Sequence, residues 1–414
     1  MVSPSIGSED IMLRETFPRG HARYEQCRAA EELERFGAWL VAAGYSRYCV
    51  RGHLFRLRDA LGRSPAADLI YTVVQLRRAF GTRVIRTRRS MLYRATQRAY
   101  QRFLASQGRL ATAPSEGPFA TICDDYRREL LEVRGLSPET VAQHERTIAE
   151  FLGHALGGAR SLQPLTAVHV DRYLDFKGQK VCRHRLQHVI AHLRSFLGFC
   201  RVVGRLEHPL EAIDSVRIHR DELPPKALPW PLVLALLRSI DRASRSGWRD
   251  YAVLHLASHY GLRPSEVVSL RLDSIDWDVK VLKVQQCKTR SVLLLPLADR
   301  TLSILQEYLQ RGRPKSSHPQ LFLRARCPAG ALMRYAVSDI FETRAARSGL
   351  PVDGYSVYSL RHAFAMRLLE RGVGVKAIGD LLGHRNLAST CQYLRLEIDM
   401  LRGVALPVPR QTQK

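Results

Sequence analysis

Apolar residues recur at intervals of three and four along most of the chain, the spacing that lines up one face of a helix. Between 31 and 110, Leu33, Phe36 and Leu40 and then Val50, Leu54, Leu57 and Leu61 keep this rhythm, which predicts two helices, and a last helix runs through Tyr100 and Phe103. A second helical block spans 119 to about 206. In it Ser137 is placed to cap a helix whose first position is Pro138, where the missing N–H costs nothing. A third block begins after 231, with helical spacing over 233–240 and 251–260. The pattern then changes, and 279–284 and 292–297 read as short strands on either side of Cys287-Lys288-Thr289 before helices return from 301 onward. The fold class is therefore mainly α with a small antiparallel β-sheet.

Small residues, Pro and Gly fill 111–118, and 221–231 is dense in Pro and hence extended. These breaks divide the chain into a poorly ordered lead-in (1–22), an N-terminal helical domain (23–112), a second helical domain (118–207), a linker (208–231), an α+β domain (232–402) and a tail (403–414). The first two domains echo each other. Gly44, Ser46, Val50, His53, Leu61 and Gly62 recur 91 positions later as Gly135, Ser137, Val141, His144, Leu152 and Gly153. Phe103 and Gly108-Arg109-Leu110 recur 96 positions later as Phe199 and Gly204-Arg205-Leu206. One modest insertion reconciles the offsets. The echo fits either a duplication or the shared Leu and Gly usage of two small bundles.

Composition narrows the partner. A chain of 414 residues with 45% apolar content can bury several cores, and 64 basic against 39 acidic residues give a formal charge of +25. Such an excess suits a polyanion, because each Lys or Arg that neutralises a phosphate releases a counterion. Ribosomal or membrane-surface binding would give a similar total, so charge alone selects no function. Two clusters are candidate phosphate contacts: Arg83, Arg86, Arg88, Arg89 and Arg94 in the first block, and Lys177, Lys180, Arg183, His184 and Arg185 in the second. A solvated helix face is the alternative for the first. The eight Cys are scattered without a Cys-x-x-Cys pair, and no secretory leader is recognisable, which predicts a reduced, cytoplasmic protein. No apolar run approaches the roughly 20 residues of a membrane span.

Four motifs carry chemistry. Arg263 lies in Gly261-Leu262-Arg263-Pro264-Ser265-Glu266, Lys288 between the strand-like runs, and Arg361 in Tyr358-Ser359-Leu360-Arg361-His362. His384 and Tyr393 close the series in Leu382-Gly383-His384-Arg385-Asn386-Leu387-Ala388-Ser389-Thr390-Cys391-Gln392-Tyr393. A guanidinium can grip two phosphate oxygens as a fork. A phenol can serve as nucleophile, and an ammonium or imidazole can supply protons. By contrast, His255 and His259 are spaced as in a zinc-protease helix but lack the intervening Glu, and no Walker loop occurs, so neither metal nor cofactor is expected.

In this order the motifs resemble the tyrosine recombinase (phage integrase) family, over roughly 118–402. The resemblance implies a core-binding helical domain at 118–207 that clamps double-stranded DNA and an α+β catalytic domain at 232–402. It implies that Tyr393 attacks a DNA phosphate held by Arg263, Arg361 and His384, while Lys288 protonates the departing 5′ oxygen. It also implies a tetramer on two synapsed sites, borne by a mobile genetic element, with a related recombinase as a conceivable partner. One position departs from the family: three residues before Arg361, where His or Lys is usual, stands Tyr358. A phenol with an ordinary pKa near 10 is a poor base at neutral pH, so Tyr358 keeps a positioning role or another group takes the proton, and slow or assembly-dependent cleavage is expected. His362 does not substitute for that base in place, since neighbours on a helix point apart, and is read as a packing residue or one that supports a site residue from behind; Thr390 and Asn386 are read as helix-start or packing residues. A type IB topoisomerase and a DNA-binding accessory factor with a weak active site are the alternatives. The apolar residues Leu394, Leu396, Ile398, Met400, Leu401 and Val404 either dock into a neighbouring subunit or pack back.

Overall fold

The structure is a computed structural model that describes residues 11–62, 70–81, 88–111, 118–159, 161–215, 226–286, 291–325, 327, 330–384, 386 and 388–393. Two compact units emerge, residues 1–36 with 52–220 and residues 37–51 with 221–414. Each is described by itself.

Among the described residues the regular structure of the first unit is helical apart from the two-residue strands β1 (Tyr71–Thr72) and β2 (Leu110–Ala111), which pair in parallel. Sequence reading predicts neither strand, because two residues leave no periodicity to detect. Residues 11–22 depart from the disordered lead-in expected of them. Helix Ile11–Thr16 buries Leu13, and the Glu34 carboxylate accepts from the free N–H groups of Met12 and Leu13 at its first turn. Phe36, Tyr100 and Phe103 form an aromatic cluster with centroids 5.3–5.9 Å apart. The buried Glu32 accepts from the Tyr100 hydroxyl and from Arg109.

Residues 118–215 have their own core, in which Phe151, Tyr173, Leu193, Phe196 and Leu197 are fully buried. Ser137 caps helix Pro138–Leu156 as its sequence predicts, its Oγ accepting from Thr140 N–H at 3.3 Å. Helices of the two segments keep the offsets of the sequence echo. Helix Arg47–Leu61 begins 91 positions before Pro138–Leu156, and helix Arg88–Ser106 ends 96 positions before Arg183–Val202. Gly44 and Gly135 both take positive φ, as do Gly108 and Gly204. Even the buried polar pairs occupy matching positions: His53 bonds Thr96, and at the same two offsets the His144 and His192 rings pack at a tilt, centroids 4.0 Å apart.

In the second unit, helix Arg245–His259 is buried on nearly every side and is flanked by Trp230–Arg238, Pro264–Ser269, Asp299–Glu307, Arg334–Ser348 and Val357–Glu370. A buried ion cluster fixes one of these neighbours, with Arg344 donating to Asp250 at 2.6 Å while Arg249 holds the other carboxylate oxygen at 2.7 Å. The sheet is antiparallel in the order β3 (Ile275–Asp276), β4 (Val281–Gln286), β5 (Ser291–Pro296). β4 and β5 are the two predicted strands, and β3 is too short to announce itself. Beside the main core, Ala365, Leu369, Ile378, Leu382 and Tyr393 form a small second cluster. It carries the last helices onto helix Val357–Glu370.

Candidate active site

The site grows from two turns that meet helix Val357–Glu370. At the first, Gly261 has φ +62°, and an added Cβ would lie 2.6 Å from the Phe364 ring and 2.8 Å from Leu382, so only glycine fits. Two residues later Arg263 precedes helix Pro264–Ser269, with Pro264 in its first turn. Glu266, 2% exposed, accepts from Arg263 N–H at 2.8 Å and from Arg263 Nη1 at 2.6 Å. Oε2, the oxygen that accepts from the Arg263 backbone N–H, lies 3.8 Å from Arg361 Nη1. One carboxylate therefore faces both guanidinium groups.

At the second turn helix Val375–Leu382 ends on Gly383 at φ +63°. A Cβ there would sit 1.7 Å from Gln286 Nε2, so glycine also lets the end of β4 press against the turn. His384 N–H closes the turn on Gly379 C=O at 2.8 Å. Arg361, only 6% exposed, ties the two turns together: Nη1 donates to Gly261 C=O at 2.5 Å, and Nη2 donates to Leu382 C=O at 2.6 Å and to His384 Nε2 at 3.2 Å. Because Nε2 accepts, the neutral ring carries its proton on Nδ1, which donates to Thr390 Oγ1 at 2.7 Å. Thr390, expected as a helix-start or packing residue, orients this imidazole.

Tyr393 is 2% exposed, with its ring in the small apolar cluster. Its hydroxyl meets His362 Nδ1 at 2.9 Å. Of the two readings of His362, packing or support of a site residue, this contact fits the second. Neighbours on a helix do diverge, so Arg361 turns to the two glycine turns and His362 to the opposite approach, but the Tyr393 segment comes in from that second side. Position 362 also lies one turn beyond Tyr358, on the same helix face. Tyr358 itself is 49% exposed.

Charges in the site shift its acids and bases in consistent directions. Burial, then the Arg361, Arg263 and His362 charges, lower His384 to about 4. Burial and Arg361 also lower His362. Arg361 is brought down to about 10 by burial and Arg263, with Glu266 pulling the other way. Burial raises the Tyr393 phenol, while Arg361 and Arg263 draw it back down. Both imidazoles are thus neutral at neutral pH, and the phenol is protonated.

The profile of the phage integrase family matches residues 233–399. The integrase/recombinase y4rA of Sinorhizobium fredii is 34% identical over 291 residues, which are 70% of this chain and 71% of that protein. The chain belongs to the tyrosine recombinase family. A recombinase of the same organism, y4rF, is 30% identical over 75% of each chain. The tyrosine recombinase XerD of Listeria monocytogenes is 28% identical over 66% of this chain and 93% of its own. Solved structures share the fold. A lambda integrase dimer bound to a COC′ core site aligns with a TM-score of 0.52 and 19% identity, covering 66% of this chain and 94% of that one. XerH recombinase bound to a palindromic difH substrate aligns with a TM-score of 0.55 and 15% identity, covering 73% and 92%.

Of the recombinase's sequence-predicted site residues, Arg263, Arg361, His384 and Tyr393 come together around helix Val357–Glu370, and Tyr358 lies on that helix one turn before Arg361. Lys288, Arg83 and Arg86 lie outside the described residues, and of Arg88 and Arg89 only their place at the start of helix Arg88–Ser106 is described. In the second helical block Lys177 pairs with Glu150 at 2.7 Å, and Lys180 sits over the Phe176 ring at 3.5 Å. Arg183 and Arg185 are exposed at the start of helix Arg183–Val202. No helix among the described residues is long and apolar enough to cross a membrane.

Proposed function

We propose that this recombinase cuts and rejoins double-stranded DNA at specific sites through a 3′-phosphotyrosyl linkage on Tyr393. The phenol oxygen attacks the scissile phosphorus and the P–O5′ bond breaks. Arg263 and Arg361 hold the non-bridging oxygens, His384 donates to the phosphate, and Lys288 gives a proton to the departing 5′ oxygen. The phosphotyrosine keeps the bond energy for religation to a new strand. The observation that carries this reading is the meeting of two guanidinium groups, an imidazole and a buried phenol, close enough for the two arginines to act on both the imidazole and the phenol. In this reading Tyr358, half-exposed one turn from Arg361, hydrogen-bonds a phosphate oxygen.

Around that centre, residues 118–207 form one DNA clamp, with Arg183 and Arg185 among its phosphate contacts. Residues 23–112 form a second clamp of common origin; the matched helix offsets and the matched buried pairs support this duplication. Lys177 and Lys180 belong to the same basic surface, with Arg83, Arg86, Arg88 and Arg89 its counterpart in the first clamp. The enzyme acts in the cytoplasm as a tetramer on two synapsed sites of a mobile element. Likeness to integrases, one of them that of the Tn1549 transposon, supports this setting.

The test uses the full chain and a pool of duplexes of randomised sequence, nicked at staggered positions so that cleavage releases a short strand and cannot reverse. Wild type is expected to form a covalent adduct stable to denaturant, and Tyr393→Phe none. Sequencing the trapped strands then yields the target site. Absence of any adduct across the pool would leave only a DNA-binding role, and relaxation without joining of two duplexes would point to topoisomerase action.

A further inference from the structure

We infer that His362 accepts the proton of Tyr393 as its oxygen attacks the DNA phosphate. The inference rests on the functional reading above and adds to it the base that position 358, being Tyr, does not provide. His362 Nδ1 lies 2.9 Å from the Tyr393 hydroxyl, within direct proton-transfer reach, and no other titratable side chain is hydrogen-bonded to that oxygen among the described residues. The hydroxyl donates, so Nδ1 accepts and the imidazole carries its proton on Nε2.

The charges around His362 favour the form this role requires. Arg361 and His384 bear on it from its own helix and from the turn after helix Val375–Leu382, and Arg263 bears on its partner Tyr393. Burial and the Arg361 charge keep the ring neutral and able to accept. A phosphate gripped by Arg263 and Arg361 offsets that positive charge, so basicity rises when substrate is present. In the forward step the Tyr393 O–H bond breaks and its proton passes to His362 Nδ1. The Oη–P bond forms, and the P–O5′ bond breaks with its electron pair on the leaving oxygen, which takes the proton that the functional reading assigns to Lys288. On religation the 5′-hydroxyl attacks and returns that proton to the same acid, the Oη–P bond breaks, and the phenolate recovers its proton from His362. Each half-step returns the ring to the state the next one needs.

The experiment measures single-turnover cleavage of the trapped duplex by the full chain, across pH, for wild type, His362→Gln and His362→Ala. DNA binding is measured in parallel to show that the variants fold. Loss of a general base is expected to slow cleavage about 10²-fold or more at neutral pH. The acidic limb of the wild-type profile should give way in His362→Gln to a rate that climbs with pH as the phenol ionises unaided. Added imidazole should restore His362→Ala, and a substrate with sulfur in place of the 5′-bridging oxygen, which needs no proton to leave, should restore neither variant. Equal rates and profiles would overturn the inference while leaving the phosphotyrosyl reading intact. Faster cleavage by the variants would overturn it in favour of His362 as a latch that stores Tyr393. Should neither variant bind DNA, wild type decides: an acidic limb supports the inference, and a pH-independent rate overturns it. If wild type forms no adduct, the functional reading fails and takes this inference with it.

Discussion

Replacing Glu266 with Gln removes a negative charge from between two guanidinium groups and keeps an oxygen that can accept from Arg263 N–H. The carboxylate lies 2.6 Å from Arg263 Nη1 and 3.8 Å from Arg361 Nη1, at a position 2% exposed. With an effective dielectric of about 20, those separations correspond to gross attractions of roughly 6 and 4 kcal/mol. Desolvation offsets much of this, and breaking a buried pair costs about 3–5 kcal/mol net. In a domain of this size each kcal/mol moves the midpoint by about 2–4 °C, so the catalytic unit of Glu266→Gln should melt about 6–20 °C lower. Under the proposed chemistry a DNA phosphate also faces Arg263 and Arg361, so it replaces part of what the carboxylate supplied. Calorimetry of wild type and variant, each with and without a saturating mixed-sequence duplex at low salt, measures both effects. DNA should narrow the gap between the two proteins. Equal midpoints without DNA, or a gap that DNA leaves unchanged, would refute this account of the charge balance.

Two further outcomes follow from buried polar groups away from the reacting atoms. Asp250→Ala leaves Arg344 and Arg249 without the carboxylate that holds them at 2.6 and 2.7 Å, and urea unfolding of the catalytic unit should register a loss of about 3–5 kcal/mol; a loss within experimental error would show that water reaches the cluster. Stability should also fall on acidification. Burial lowers His53, His192 and His259 to about 4 and His255 to about 3 in the folded chain. Unfolded, these rings titrate near 6.5, so the contribution is complete above that pH and is lost as pH falls from there through about 4, at up to about 1.4 kcal/mol per unit per ring. Urea midpoints compared at about pH 7.5 and about pH 5 check this, and a midpoint that rises in acid would reverse the sign argued here.

Most of the fold was legible because helices of the length of Pro138–Leu156 or Arg183–Val202 repeat their apolar spacing several times. The two-residue strands and helix Ile11–Thr16 were not, since their positions depend on partners far along the chain, such as Glu34 for the first turn of that helix. At the site, Arg263, Arg361, His384 and Tyr393 stood in recognisable strings. The residues that orient them did not. Thr390 looks like any residue in a short helix until His384 is seen to donate to it. Glu266 suggests a partner for Arg263 alone until Gly261 lets helix Val357–Glu370 approach and bring Arg361 within 3.8 Å. His362 was dismissed on a correct rule about helix neighbours; what sequence could not supply was the side from which Tyr393 arrives.

The same contacts suggest how chemistry waits for substrate. Among the described residues, the two arginines of the site are engaged inside the protein: Arg361 on two carbonyls and His384 Nε2, and Arg263 on Glu266. While His384 Nε2 accepts from Arg361 it cannot donate to a phosphate, and the two arginines help hold that ring near a pKa of about 4, where a donating proton is scarce at neutral pH. Under the proposed chemistry, a phosphate entering between Arg263 and Arg361 offsets the positive charge that, after burial, lowers both imidazoles. It draws the Arg361 donors away from His384 Nε2 and raises the proton affinity of His384 and His362 together. In that proposal the ring that donates and the ring that accepts become competent through one event, the arrival of the charge on which they act. This arrangement answers the difficulty posed by Tyr358: a base poised one turn further along the helix need not be strong in the free enzyme, provided that binding the substrate makes it so.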